Sequence, residues 1–321
     1  TKQFFPIEGI THEQARASTF ALRQIASNPA TAYATIDRDF DIYTSVGWNG
    51  DGDVLFTAYY SPIFEASKVR TAEHQYPLYM RPPDLVTDPN TGEVLGRQRG
   101  QQITPYPTRA QIEYYPDRLG LAGRELVWMK SKLDRYIVHV NGSARLRLTD
   151  GSTMFVGYSA TNGLEYTSIG KALVADGKIP ADRISLPAIE AYFTANPHEL
   201  DGYTRRNDRY VFFQQFQGGD WPAGSLGAKL TPNRSIATDK RLFPRGCPTL
   251  VVTTLPNVDA ATTGRRTPGR ADLYLGVGDR AGWMAGRQAA EGRLYYLILK
   301  PESVAGWAQR ADSATRVSQA R

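Results

Sequence analysis

Short runs of β-branched and aromatic residues, each closed by glycine, proline or a polar turn, recur along the chain. The run VLFTAYY at 54–60 stops at Ser61 and Pro62, and TLVVTTL, ADLYLGVG and LYYLIL follow the same plan after Gly219. Such residues suit a pleated, half-buried surface, whereas Gly and Pro end strands. The sequence therefore predicts a mainly β fold with few helices, and an all-β region after Gly219 that is most simply a barrel.

Helical spacing is confined to a few segments. Thr11 is suited to cap a helix whose apolar positions continue to Ile25, before Asn28 and Pro29 end it. Residues 168–177 and 186–196 predict two further short helices.

The middle of the chain reads as a small β-unit. We predict strands at LVWM, YIVHV, ARLRL and MFVGY, and the last two form a hairpin across the turn at Asp150 and Gly151. The proline-containing stretch at 80–107 predicts a loop.

Size and composition limit the classes that remain. A chain of 321 residues exceeds what one core usually serves, so about two domains are expected. The longest apolar stretches, such as 294–299, are too short to span a bilayer. No signal sequence precedes Thr1, which leaves open a cytosolic protein or an already trimmed one.

The charged residues and the potential metal ligands predict neither a nucleic-acid partner nor a metal site. The 38 basic and 32 acidic side chains leave a charge of +6 without a block of basic and aromatic residues that would stack nucleic-acid bases, so no nucleic-acid partner is expected. Cys247 has no second cysteine to pair with, and the four scattered His residues form no zinc pattern with it. No metal site is predicted.

Two carboxylates and the tyrosines are the remaining candidates. Asp239 ends a polar run beside a predicted strand, and Asp272 opens another; each is either a solvated strand end or a positioned proton donor. The chain has 18 tyrosines, which offer sugar rings both a flat apolar face and a hydroxyl, although aromatic residues in strands are more often core. A serine hydrolase is not favoured, because GYSATNG around Ser159 departs from G-x-S-x-G.

Six segments in order nevertheless resemble one family. The chain resembles the MltA family of lytic murein transglycosylases on the segments FTAYYSP with YPLYMRPP, NGSARLRLTDGS, GYSATNGLEYTSIGKAL, NDRYVFFQ, LTPNRSIATDKRLFPRG and GRADLYLGVGDRAGWMAGRQAAEGRLYYLILKP. This resemblance implies a double-psi β-barrel domain formed by residues 1–62 and 219–321, and an inserted small β-domain at 63–218 that lines a glycan groove.

The resemblance also implies the site. The aspartate of RADLYLG is the catalytic acid of the family, here Asp272, and the aspartate of SIATD, here Asp239, helps to shape the site. The implied substrate-binding residues are Thr57, Tyr59, Tyr60, Asn162, Gly163 and Tyr166.

One departure concerns the third aspartate of the family. The family has a DTGGAI-like segment shortly before its catalytic aspartate, whereas this chain reads ATTGRRTPGRAD at 261–272. Either this aspartate is lost here, or a stretch of chain is absent from the sequence between Arg265 and Gly269, and we favour the second.

The implied reaction is non-hydrolytic cleavage of the β-1,4 bond between N-acetylmuramic acid and N-acetylglucosamine. Asp272 would donate a proton to the glycosidic oxygen and then accept the C6 hydroxyl proton, which leaves a 1,6-anhydromuramyl end and requires no metal or organic cofactor. The alternatives are a non-catalytic peptidoglycan-binding protein and a hydrolase of another β-1,4 glycan.

The expected partner is the peptidoglycan glycan strand. The resemblance implies a location at the periplasmic face of the cell envelope. Family members are often lipid-anchored to the outer membrane through an N-terminal Cys, and Thr1 shows no such residue.

Overall fold

The structure is a computed structural model that describes residues 9–89, 92–224, 226–238, 246–254 and 270–319. Within these residues, two six-stranded sheets and one three-stranded sheet form the fold. The first large sheet, here called the barrel sheet, contains β1 (Phe40–Thr44), β2 (Val54–Ser61), β12 (Ile236–Ala237), β13 (Thr249–Thr253), β14 (Arg270–Val277) and β15 (Ala289–Leu299). It therefore combines strands from both ends of the chain.

The second large sheet, here called the middle sheet, is built from the centre of the chain. Its strands are β3 (Ile63–Ser67), β4 (Tyr76–Tyr79), β8 (Glu125–Met129), β9 (Ser143–Leu148), β10 (Thr153–Thr161) and β11 (Val211–Phe216). The three-stranded sheet contains β5 (Leu85–Thr87), β6 (Val94–Arg99) and β7 (Gln102–Thr104).

Nine α-helices pack around these sheets within the described residues. They are α1 (His12–Ala26), α2 (Pro29–Asp39), α3 (Arg109–Tyr114), α4 (Lys132–Asn141), α5 (Ile169–Ala175), α6 (Leu186–Ala195), α7 (Leu200–Thr204), α8 (Asp279–Ala285) and α9 (Pro301–Gln319). In the same part of the chain, no helix combines the length and apolar character needed to cross a membrane.

The barrel sheet curls because β15 pairs antiparallel with three strands, β1, β2 and β13. On its other side β2 pairs parallel with β14, which lies more than 200 residues later in the chain. The buried side chains of these strands, among them Phe56, Leu273 and Leu294, form one apolar core. The core thus fixes β2 beside β14.

The chain passes from one large sheet to the other at Pro62, which separates β2 from β3. The backbone N–H of Arg145 donates to the Pro62 carbonyl at 2.9 Å, and the hydroxyls of Ser61 and Ser143 are hydrogen-bonded at 2.7 Å. Because β3 pairs parallel with β9, the start of the middle sheet is held directly beside the end of β2.

The first and last helices pack together. The Thr11 hydroxyl accepts from the Gln14 N–H, so the predicted cap and helix at the start of the chain are confirmed. Small residues such as Ala17 and Ala308 meet in the interface, and the Gln14 side chain donates to the Leu299 carbonyl at 2.7 Å. The two predicted helices at 168–177 and 186–196 are also confirmed, as is the hairpin of β9 and β10.

The segment YIVHV is part of α4, so the strand predicted there is wrong. The Ser131 side chain accepts from the N–H groups of Leu133 and Asp134, and Gly142 ends the helix in the left-handed conformation with φ of 74°. These end signals and burial of 135–139 outweigh the β preference of Tyr, Ile and Val.

Two further expectations are wrong. Residues 80–107 contain the three-stranded sheet rather than only a loop, because short strands can pair between proline turns. The region after Gly219 contains α8 and α9, so it is not all-β, and the expectation of few helices fails with it. The packed face of α9 uses small residues such as Ala308 and Ala311, which give a weak apolar period in the sequence.

Two helical glycines give a matched test of this packing. A Cβ at Gly282 in α8 would lie 2.7 Å from the ring of buried Tyr60, whereas a Cβ at Gly306 in α9 meets nothing within 4 Å. We expect Gly282→Ala to destabilise the fold by about 1–3 kcal/mol through overpacking. Gly306→Ala should instead stabilise it by about 1 kcal/mol through helix propensity. Thermal unfolding of both variants measures the difference, and equal shifts of the same sign would contradict the packing described.

Candidate active site

The candidate catalytic residue Asp272 lies on β14 directly opposite Thr57 of β2. The parallel register pairs these two residues, and the Thr57 hydroxyl donates a hydrogen bond to Oδ1 of Asp272. Both side chains are half-buried. A carboxyl held by a neighbouring strand is fixed in orientation while it stays accessible.

Alternation along the strands decides which way these side chains project. Phe56 and Leu273 belong to the core of the barrel sheet, and Ala58 packs against it. Because successive side chains of a strand point to opposite faces, Thr57 and Asp272 project away from that core.

Asp272 faces a cavity of about 460 Å³ between the barrel sheet and the elements around the middle sheet. It is the one carboxylate among the described residues that line it, which are Ala58, Tyr59, Arg109, His139, Val140, Asn141, Tyr166, Asn207, Arg209, Val211, Ala237, Thr238 and Asp272. Among the described lining residues, polar groups and aromatic rings thus surround a single acid.

The wall opposite Asp272 is held to β2 through Asn141, at the end of α4. The Asn141 side chain donates to the Ile137 carbonyl at 2.9 Å, and its Oδ1 accepts from the Tyr60 backbone N–H at 3.5 Å. This amide therefore connects the two sides of the cavity.

Arg109 forms a buried, fully bonded part of that wall. It is 1% exposed and donates to the carbonyls of Asn207 and Arg209 at 3.1 and 2.6 Å. Glu113 accepts from Arg109 at 3.0 Å and lies 2.9 Å from the guanidinium of Arg135. Because its donors are committed within the protein, we assign Arg109 to holding the cavity wall in shape.

His139 lines the same cavity as a neutral side chain. Burial, with Arg109 and Arg135 nearby, holds the pKa of this imidazole well below its ordinary value. Its Nδ1 accepts from the Val211 N–H at 3.1 Å, so the neutral ring carries its proton on Nε2.

Tyr59 is an aromatic residue that lines the cavity and is affected by the charge of the candidate acid. Burial, and then the charge of Asp272, raise the pKa of the Tyr59 phenol, so it stays protonated. Its ring lies 5.3 Å from that of Tyr274, centroid to centroid. A neutral hydroxyl and an apolar ring face are therefore presented beside the carboxyl.

The structure brings together some of the predicted site residues. Tyr59, Tyr166 and Asp272 line the cavity, and Thr57 contacts Asp272. Tyr60 is 8% exposed and lines a second cavity next to the first.

Of the other predicted residues, Asn162 and Gly163 are not among the described residues that line the first cavity. Asn162 is 2% exposed, and its amide donates to the carbonyls of Pro107 and Asp208 and accepts from the Tyr210 N–H, which are structural contacts. Gly163 is exposed and is not among the described lining residues. Asp239 lies outside the described residues, as does the segment 255–269 around the third-aspartate position, although Thr238 lines the cavity.

Ten of the described lining residues were not predicted as site residues from the sequence, and five of these carry an amide, guanidinium or imidazole group. Asn141, Asn207 and Arg209 lie within the quoted segments NGSARLRLTDGS and NDRYVFFQ, which was the available signal, and the other two are Arg109 and His139. His139 was assigned to a strand, and Arg109 gave no local sign of burial.

Comparison with known proteins places the chain in a family. The sequence model of the MltA specific insert domain matches residues 55–214. A membrane-bound lytic murein transglycosylase A of Vibrio cholerae is 30% identical over 270 residues, which cover 79% of this chain and 68% of that protein.

Solved structures agree. The membrane-bound lytic murein transglycosylase of Agrobacterium tumefaciens superimposes with a TM-score of 0.75 at 27% identity, over 91% of this chain and 85% of the other. The Escherichia coli MltA structure with bound chitohexaose shares the fold, with a TM-score of 0.65 at 24% identity over 90% and 89% of the two chains.

The candidate acid Asp272 thus lies in a chain whose fold is shared with a solved structure of a lytic murein transglycosylase. The chain belongs to the MltA family of lytic murein transglycosylases. The family resemblance predicted from the six segments is confirmed, together with the prediction of an enzyme.

The buried charge cluster behind the cavity yields a test. We expect Glu113→Gln to destabilise the protein by about 3 kcal/mol, because it leaves the buried Arg109 and Arg135 without their counter-ion. The matched control is Glu73→Gln, since Glu73 pairs with Lys130 at the surface with 67% of its side chain exposed. Glu73→Gln should lower the free energy of unfolding by less than about 1 kcal/mol. Urea unfolding measures the stability of both variants. A similar small loss of unfolding free energy in Glu113→Gln and Glu73→Gln would contradict the role given to the cluster.

Proposed function

We propose that this protein cleaves the β-1,4 bond between N-acetylmuramic acid and N-acetylglucosamine without water, with Asp272 as acid and then as base. The observation that carries the proposal is that Asp272 is the one carboxylate among the described residues lining the cavity, held by Thr57. Family membership supplies the substrate class.

One carboxyl suffices for this reaction, whereas ordinary glycosidases use two. They need the second to activate water or to act as a nucleophile. In a lytic transglycosylase the C6 hydroxyl of the muramyl residue attacks its own C1, so the nucleophile is already tethered and benefits from a large effective molarity.

Asp272 transfers a proton in each half of the reaction. As an acid it protonates the glycosidic oxygen while the C1–oxygen bond to the leaving sugar breaks. As a carboxylate it then accepts the proton of the C6 hydroxyl as the C6 oxygen bonds to C1. The protein ends the cycle protonated as it began, and no metal or organic cofactor is required.

The surrounding residues fit these steps. The Thr57 hydroxyl donates to one carboxylate oxygen and holds the acid in position. Tyr59 offers a neutral hydroxyl and a ring face, and Tyr166 a second ring, which suits sugars with apolar C–H faces and polar rims. The bound chitohexaose in the Escherichia coli structure supports occupation of this fold by a sugar oligomer.

The same proposal assigns domains. Residues 1–62 and 219–321 form a catalytic domain with the double-psi barrel topology of the family, and 63–218 form the inserted domain. The membership of the two large sheets supports this division, since β2 ends at Ser61 and β3 begins at Ile63. Asp239 helps to shape the site from the catalytic side, as the position of Thr238 on the cavity supports.

The partner is the glycan strand of peptidoglycan, and the location is the periplasmic face of the cell envelope, with a lipid anchor to the outer membrane. The relatives named membrane-bound lytic murein transglycosylase support this placement.

Replacement of Asp272 tests the assignment. We expect Asp272→Asn to lower the rate of cleavage of purified murein sacculi by at least ~10³, because one group serves both proton transfers. Co-sedimentation with sacculi should stay close to wild type. Asp182→Asn, at an exposed acid, is the matched control and should retain full activity.

Mass spectrometry of the products separates the alternatives. Anhydromuramyl ends from wild type, lost in Asp272→Asn, agree with the proposal. Their continued release by Asp272→Asn would overturn it. Binding without any product would indicate a peptidoglycan-binding protein, and reducing ends carrying an added water would indicate a hydrolase.

A further inference from the structure

Three basic side chains are among the described residues that line the cavity of Asp272, namely Arg109, His139 and Arg209. The guanidinium of Arg109 donates to carbonyls and pairs with Glu113, and His139 is neutral. Neither of these two side chains therefore offers a positive charge that a ligand could still pair with. Arg209 is the remaining candidate in this described lining.

Arg209 lies just before β11 of the middle sheet, across the cavity from Asp272 on the barrel sheet. Every second residue from 207 to 211 lines the cavity. Tyr210 and Phe212 instead belong to a separate apolar core. Because successive side chains of an extended chain point to opposite sides, this alternation directs the Arg209 side chain into the cavity.

The backbone of Arg209 is held from both sides by buried side chains. Its N–H donates to Oδ1 of Asn207 at 3.2 Å, and its carbonyl accepts from Arg109 at 2.6 Å. Asn207 is itself 2% exposed and donates to the Tyr136 hydroxyl at 3.0 Å. The point from which the Arg209 side chain projects is thus fixed within the protein.

The Arg209 guanidinium has no protein partner in the part of the chain that the structure describes. Its side chain makes no ion pair, hydrogen bond or cation–π contact there, whereas the residue is half-buried. The adjacent acid, Asp208, is exposed. A charge that is partly removed from water is usually paired, so a ligand anion is a suitable partner for this guanidinium.

A carboxylate is the anion that fits both the guanidinium and the substrate. The planar fork of a guanidinium can donate two parallel hydrogen bonds to a carboxylate. The sugar rings of murein and their N-acetyl groups are uncharged, whereas the lactyl arm at C3 of the muramyl ring carries a carboxylate, either its own or that of the attached peptide stem. A cavity of about 460 Å³ buries most of a small ligand, so one muramyl residue can contact both Asp272 and Arg209.

We propose that Arg209 binds a carboxylate carried by the lactyl arm of the muramyl residue whose C1 bond is cleaved. The inference rests on the proposed function, which supplies this substrate.

The carboxylate has two sources of the same chemistry. One is the free lactyl carboxyl of a muramyl residue without a stem, and the other is the α-carboxyl of the D-glutamyl residue in the stem. The experiment below separates them.

The test compares four soluble tetrasaccharides of alternating N-acetylglucosamine and N-acetylmuramic acid, arranged as two pairs. The first pair has no stem and carries either the free lactyl carboxylate or its primary amide. The second pair carries L-alanyl-D-glutamate γ-methylamide, with the α-carboxylate either free or converted to the primary amide. In one of the pairs we expect wild type to cleave the charged form with a kcat/KM about tenfold above that of the neutral form, the lower end of what a hydrogen bond to a charged group contributes.

Matched variants locate the effect. Arg209→Gln, which removes the charge and the fork, should reduce the tenfold ratio to below about twofold. Arg183→Gln removes the same charge at an exposed position outside the described lining and should retain the ratio. Because the ratio is taken within one protein sample, partial loss of folding does not change it.

Each outcome bears on one of the two proposals. The pair that shows the ratio identifies the lactyl or the stem carboxylate as the group bound. Equal cleavage within both pairs by wild type, with anhydro ends released, would overturn the carboxylate site alone. A tenfold ratio that persists in Arg209→Gln, or that is lost in Arg183→Gln as well, would also overturn it. Absence of anhydro products from all four sugars would overturn the proposed function and the carboxylate site with it.

Discussion

The parallel pairing of β2 with β14 is the contact on which the site depends. It brings Thr57 beside Asp272, although 215 positions separate them in the chain, and it is supported from behind by the shared core of the barrel sheet. A parallel pair needs a long crossover connection, and here the entire middle sheet lies within that connection. The same pairing thus sets the acid in place and positions a second sheet opposite it.

The wall opposite the acid is kept rigid by buried polar contacts. Glu113 pairs with both Arg109 and Arg135, Arg109 also donates to nearby carbonyls, and Asn141 connects α4 to β2. A buried ion cluster contributes little net stability compared with apolar packing. Removal of one member, however, strongly destabilises the folded protein, because it leaves a buried charge without a partner. In this protein the cluster gives the cavity wall a defined shape and polarity, and His139 in that wall stays neutral.

Local pattern predicted the elements whose signals lie within a few residues. The Thr11 cap, the helix after Ser168 and the hairpin across Gly151 are examples, and each depends on neighbours in sequence. The strand predicted at YIVHV was wrong because burial decided the conformation of this segment. Ser131 and Gly142 nevertheless marked the ends of a helix.

The site shows the same division. The resemblance of the segments indicated Asp272 and Tyr59, which line the same cavity. It also indicated Asn162, whose side-chain amide donates to backbone carbonyls. Whether a polar side chain faces a cavity or a carbonyl depends on contacts from distant segments. Those contacts also explain why Arg109 and His139 escaped notice, since their partners lie about 70–100 residues away.

The central claim is that bond cleavage needs a single carboxyl because no water enters the product. Digestion of murein sacculi in water enriched in oxygen-18, followed by mass spectrometry of the new chain ends, measures this directly. The account predicts anhydro ends with the same mass as those formed in ordinary water. Reducing ends that carry the heavy oxygen would contradict it.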